Sequence, residues 1–406
     1  MSSFSTNIER LDKYTCPQNW TDLLLFLQAQ LRHDSDCNVL RQVSSQLPSF
    51  YSDLLPFVWA QARKGHTISR SLRECREIVL SEQECLQILS AGFLCLFNRD
   101  SSVWEEYPSI NFDLLYEHTF HFDSESPKLK MLLQYFQGCQ QRIEEGVFGQ
   151  RKVRFSLLQH RENQAGWSEV PQSMGDLVMV DLYRSIYEAK DCLRVDFANA
   201  YLGGASLSYG NVQEEIMFSL CPEMNVGRLF CKRMNHDEAI LMVGPEQFSV
   251  SSGYGGSLQF AGPFPSETKQ ETSYTVAMDA LDLRSDDPSM QYHPTSVLRE
   301  LNKSYAAFSA PDTPHTIATG NWGCGVFGGD VELKTLIQWT SASRAGKTLL
   351  YHPFEQEILH RKLSTLSDRI RARKDPVGVA QMIHFLLHIQ STRSVLHQFE
   401  QWLSKL

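Results

Sequence analysis

Beyond Gly146, short runs of β-branched and apolar residues alternate with stretches of helical periodicity, and this alternation constrains the fold more than any other feature. Residues 153–158, 176–182, 193–198, 274–280 and 348–352 read as strands. Helical stretches at 212–220, 295–308 and 330–343 lie among them, and 376–406 reads as two closing helices. Such an order predicts a parallel or mixed sheet covered by helices. The first third is different: 20–31 and 54–63 carry apolar residues at helical spacing, and 128–145 is amphipathic. Ser81-Glu82-Gln83-Glu84 fits a capping box that opens a helix running through Phe97. The expected architecture is a helical accessory domain over 1–147 followed by an α/β domain over 148–406. The 406-residue length allows two such domains.

Composition narrows the class. The longest apolar stretch, 88–97, is half the roughly 20 residues a membrane helix needs. Residues 1–20 lack the basic start and apolar run of a secretory signal. The ten cysteines are scattered without a C-x-x-C pair, which reads as reduced core thiols in an intracellular protein. The expected location is cytoplasmic or nuclear. A net charge of −9 argues against a broad nucleic-acid-binding face, so no sequence-specific nucleic acid is expected. One local pocket can still hold a diphosphate with backbone amides and helix ends.

The informative segment is VDFANAYLGGASLSYGNVQEEI, residues 195–216. It reads as a strand, a polar exit at Asp196 and Asn199, a glycine turn at Gly203-Gly204, a loop and a helix opening near Val212. In open α/β sheets, ligands bind beyond the carboxyl ends of strands. Glu214 and Glu215 fall in the first helical turn and point about 100° apart, so they take different tasks. An isolated pair of acids there would simply complement the helix dipole.

The surroundings carry a more specific message. The stretch resembles the poly(ADP-ribose) glycohydrolase signature, GGG-x₆₋₈-QEE, here Gly203-Gly204-Ala205, seven residues, then Gln213-Glu214-Glu215. VDFAN (195–199), TGNWGCGVFGGD (319–330), Gly253-Tyr254, RELNK (299–303) and the 351–354 run match the same family in order, from about Lys128 to the C-terminus. The resemblance implies a macrodomain fold and hydrolysis of ribose–ribose bonds in poly(ADP-ribose) on modified proteins, with ADP-ribose as product. It further implies a monomer, no cofactor or metal, and a part in the DNA damage response. The long N-terminal regulatory extension of large animal members is not expected here.

By motif position, the resemblance makes Glu215 the catalytic acid/base. Glu214 and Asn199 contact ribose hydroxyls, Asp196 supports the loop, and Gln213 belongs to the binding segment. Tyr254 closes over diphosphate and ribose, and Phe354 stacks on adenine. Ile186 and Glu188 read the adenine edge. Gly325, Val326, Phe327 and Gly328 cradle the diphosphate. One position departs from the family: Ala205 stands where a third glycine is usual, and its methyl narrows the loop if that residue needs positive φ.

Other motifs compete. Gly323-x-Gly325-x-x-Gly328 also fits a dinucleotide fingerprint, but the acid expected about 20 residues later has only Glu355 as a late candidate. That leaves an NAD-dependent oxidoreductase as an outside reading, and a non-catalytic ADP-ribose reader as the main rival. His384 and His388 have metal-pair spacing without a third ligand. The basic run Arg369, Arg371, Arg373 and Lys374 reads as a solvated helix end. Cys324 lacks a neighbouring base and reads as a packing residue.

Overall fold

The computed structural model describes residues 4–5, 8–31, 35–65, 67–68, 70–97, 106–117, 125–265, 272–390 and 394–406. The chain forms two compact units, and neither is contiguous in sequence. The first comprises 1–156, 201–233 and 242–273; the second comprises 157–200, 234–241 and 274–406. The expected boundary near 147 therefore does not coincide with this division. Two later segments of the chain return to the helical N-terminal unit, and one of them carries Glu215.

In the first unit, helices span Trp20–Gln30, Asn38–Ser45, Leu55–Lys64, Glu82–Phe93 and Glu125–Glu144. The capping box at Ser81 is present. Ser81 Oγ accepts from the Glu84 amide at 3.3 Å, and Glu84 accepts from the Ser81 amide at 2.7 Å. The helix stops at Phe93 rather than Phe97, and two residues on Cys95 takes a positive φ of +55°. Helix Glu125–Glu144 buries Leu129, Leu132, Leu133, Tyr135 and Phe136 and packs on helix Gln213–Leu220. The Phe93 ring meets Phe112, Tyr116 and Phe136 edge-on. Arg151, half-hidden among Glu82, Glu223 and Glu246, gathers three acids of this unit around one guanidinium.

The sheet has eight strands: Glu77–Ser81, Lys152–Gln159, Glu238–Val243, Tyr274–Asp279, Cys192–Ala198, Thr316–Gly320, Thr348–His352 and Leu177–Met179, in that spatial order. The first pair is antiparallel, whereas the ladders from Tyr274–Asp279 to Leu177–Met179 are parallel, so the sheet is mixed. Within the second unit, helices Pro294–Phe308 and Val331–Arg344 pack on one another and on the strands. Asp330, expected as the first helical residue, is instead the N-cap and accepts from the Leu333 amide at 2.8 Å. The closing region forms helices Val379–Leu386 and Val395–Leu403. The RELNK run is a buried charge hub of this unit. Asp279 meets Arg299 and Lys303 at 2.6 Å each, and Lys334 pairs with Glu300. Burial drives the Lys303 ammonium down to about 8. Asp279, although burial pushes it up, is held below the usual carboxylate range by Lys303 and Arg299.

Candidate active site

The first unit builds its chemistry from one turn and one helix. The chain leaves Tyr201 in a tight loop in which Gly203 and Gly204 take φ of +81° and +44°, a region that β-carbons disfavour. Ala205 lies outside that region, so its methyl group fits without backbone strain. Helix Gln213–Leu220 then begins, with Glu214 and Glu215 in its first turn at 2% and 7% exposure. Burying two carboxylates is costly unless hydrogen bonds hold them. Glu214 Oε1 accepts from the Gly203 amide at 2.7 Å. Glu215 accepts from the Ala205 amide at 3.1 Å through Oε1 and from the Val212 amide at 3.0 Å through Oε2. The second bond is the back-reach of a capping box, so the helix-end role open to any acid here is also fulfilled.

Space around the carboxylates is tight. A β-carbon on Gly204 would lie 2.6 Å from Glu214 Oε2 and 2.7 Å from Glu215 Oε1. Tyr254 begins the short turn between strands Ser249–Ser252 and Gln259–Pro263, and its hydroxyl accepts from the Gln213 amide at 3.2 Å. Burial raises the Tyr254 phenol; the Gln213 amide opposes this, and the charge of Glu215 adds to the rise. The turn is also tied to the segment ahead of helix Gln213–Leu220, since the Gly255 amide donates to Asn211 O at 3.2 Å. Gly203, Gly204, Ala205, Gln213, Glu214, Glu215 and Tyr254 thus form one constellation in the first unit.

The second unit holds the remaining expected residues. Asp196 is fully buried in strand Cys192–Ala198, opposite Ala277, and Asn199 follows at the strand's exit, half-buried. The loop after strand Thr316–Gly320 is anchored by Trp322, whose indole N–H donates to Met278 O at 2.9 Å. Gly325 turns back to Gly328, whose amide donates to the Gly325 carbonyl at 3.1 Å, leaving Val326 exposed at the tip. Phe327 O accepts from the Leu283 amide, and the Arg284 guanidinium lies 5.4 Å from the Phe327 ring. Phe354 is 56% exposed and, with Glu355, takes positive φ, +49° and +62°. Two consecutive side-chained residues in that conformation are held by their neighbours. The Glu355 amide donates to Leu182 O at 3.1 Å, and His352 Nδ1 lies 3.0 Å from Arg184 O. These bonds tie the residues flanking Phe354 to Leu182 and Arg184, shortly before the 3-10 turn Ile186–Glu188, where Ile186 is buried and Glu188 exposed.

The competing motifs settle into structural places. Arg369 pairs with Glu400 and Arg371 with Asp176 and Asp368. The His384 and His388 rings lie tilted against one another, centroids 4.4 Å apart. Burial raises the Cys324 thiol far above its usual value, and its Sγ points at Trp322 O. Two residues that sequence reasoning missed hold the carbonyls of the loop between Tyr201 and helix Gln213–Leu220: Lys128 and Arg228, both buried cations. Neither had a local signal, because their loop partners are 22 to 82 residues away.

Residues 165–361 match the family model described as poly(ADP-ribose) glycohydrolase (PARG), macro domain fold, and residues 44–151 match its helical domain. "Poly(ADP-ribose) glycohydrolase 1" of Arabidopsis thaliana is 30% identical over 380 residues, covering 74% of this chain and 68% of that protein. The chain belongs to the poly(ADP-ribose) glycohydrolase family. A second Arabidopsis thaliana relative, named "Probable poly(ADP-ribose) glycohydrolase 2", is 28% identical over 84% of this chain and 74% of its own length. "Poly(ADP-ribose) glycohydrolase 1" of Caenorhabditis elegans is 32% identical over 62% of this chain and 34% of its own length. The macrodomain fold with a mixed sheet and an N-terminal helical domain is the glycohydrolase architecture expected from the sequence. Among the described residues, no helix is long and apolar enough to cross a membrane.

Proposed function

We propose that this chain hydrolyses ribose–ribose O-glycosidic bonds of poly(ADP-ribose) and releases ADP-ribose. The observation that carries the reading is the buried Glu215 carboxylate held by the Ala205 amide of the glycine turn and the Val212 amide at the helix start. Family membership gives that arrangement its substrate class. Glu215 hands a proton to the bridging oxygen as the bond from that oxygen to the anomeric carbon breaks, leaving an oxocarbenium-like centre. Water then bonds to that carbon and returns a proton to Glu215. The substrate's own diphosphate supplies negative charge near the cation. Glu214 and Asn199 hold ribose hydroxyls, with Asp196 supporting the loop. Tyr254 covers diphosphate and ribose, the 325–328 loop receives the diphosphate, and Phe354, Ile186 and Glu188 take adenine. The partner is the polymer on modified proteins, met by a monomer in the cytoplasm or nucleus.

The rival reading, an ADP-ribose reader without turnover, drew its force from Ala205. The ordinary backbone at that position removes that argument. Incubating purified protein with poly(ADP-ribose) and EDTA decides between the two. Free ADP-ribose under chelation supports the hydrolase, and polymer binding without release supports the reader.

A further inference from the structure

We infer that Arg228 is a positioning residue that orients two peptide planes of the catalytic loop so that their amides face Glu214 and Glu215, and that Lys128 fixes the rest of that loop behind them. A trans peptide is planar, and its C=O and the following N–H point in opposite directions. Whatever holds the carbonyl therefore aims the amide. Arg228 Nη1 donates to Leu202 O and to Gly204 O, each at 3.2 Å. The amides in those same two peptide planes belong to Gly203 and Ala205, and they donate to Glu214 and Glu215 respectively. One guanidinium behind the loop thus sets the donors for both carboxylates in front of it.

Arg228 is itself fixed by Ser109 O at 2.6 Å and by Ser206 Oγ at 3.2 Å. Its approach explains Gly203, since a β-carbon there would lie 2.6 Å from Arg228 Nη1. Burial pulls the guanidinium down to about 10, against the opposing charges of Glu214 and Glu215, so it stays a cation at neutral pH. Lys128 continues the clamp. Its ammonium, 0% exposed, donates to Ala205 O at 3.3 Å and to the carbonyls of Ser208 and Gly210. A compact ammonium with three N–H donors suits three converging carbonyls. Lys128 comes from helix Glu125–Glu144, within the region that matches the family's helical domain, so that domain contributes to the catalytic loop.

The inference rests on the hydrolase reading for its kinetic arm but not for its structural one. In Arg228→Lys and Lys128→Met, kcat for ADP-ribose release should fall about tenfold or more, with KM changing by less than about threefold. In the same proteins, amide hydrogen exchange in a peptide covering 203–212 should quicken about tenfold, while helix Leu55–Lys64 keeps its protection. A folded variant with parental kcat, a loss confined to KM, or unchanged exchange in 203–212 overturns the inference. If Arg228→Lys does not fold, Lys128→Met gives the same reading. If Lys128→Met also fails, Lys128→Gln, which keeps two donors, takes its place. Should the parent release no ADP-ribose, the hydrolase reading fails and the exchange comparison alone decides this one.

Discussion

The amide of Ala205 donates to Glu215 Oε1 at 3.1 Å, which places the position where this chain leaves its family's glycine pattern in contact with the proposed acid. Because Ala205 has an ordinary φ, Ala205→Gly should alter kcat/KM by less than about threefold and cost roughly 0.4–1 kcal/mol of stability through the unfolded chain. Steady-state release of ADP-ribose and a urea melt check both parts. A tenfold gain in rate would mean that the methyl group obstructs the loop after all.

Glu215→Gln should lose roughly three decades or more of kcat while still binding ADP-ribose, because an amide keeps the shape but cannot transfer a proton to the leaving oxygen. The variant should melt somewhat below the parent, since the single glutamine oxygen can accept from only one of the Ala205 and Val212 amides. Near-normal turnover would remove Glu215 from its role.

Gly204→Ala should be far more damaging than the change next door. The new methyl would enter a positive-φ position, 2.6 Å from Glu214 and 2.7 Å from Glu215. We expect a fall in kcat/KM of about tenfold to a hundredfold, the equivalent of ~1–3 kcal/mol of strain or displacement. Parental kinetics here would show that the loop has more room than its geometry implies.

Phe354→Ala separates stacking from packing. The ring is 56% exposed, so its removal should leave the melting temperature within a few degrees of the parent. Binding of ADP-ribose should weaken by roughly 1–3 kcal/mol if the ring stacks on adenine. Calorimetry showing unchanged affinity would take Phe354 out of the site.

Lys303→Met tests the buried hub of the second unit. Its ammonium bonds Asp279 Oδ1 and the Asn235 carbonyl, both at 2.6 Å, and removal leaves Asp279 with only Arg299 of the pair. Breaking such a buried pair should cost about 3–5 kcal/mol, read from denaturant unfolding. A loss under 1 kcal/mol would mean that Arg299 alone satisfies Asp279.

Much of the fold was legible because its signals are local. Strand Thr348–His352 and the capping box at Ser81 appear where periodicity and cap chemistry put them. Strand Glu238–Val243 was missed because all six of its residues are buried, and a short apolar run without alternation has no readable period. The hairpin Ser249–Ser252 and Gln259–Pro263 was missed because glycine and serine read as loop. At the site, the sequence by itself determined the chemical groups: two adjacent carboxylates at a helix start and two glycines able to take positive φ. Only the tertiary structure decided which way the loop's amides point. Peptide-plane direction depends on what grips the carbonyls, and the cations that grip them, Arg228 and Lys128, reach the loop through folding rather than through sequence proximity.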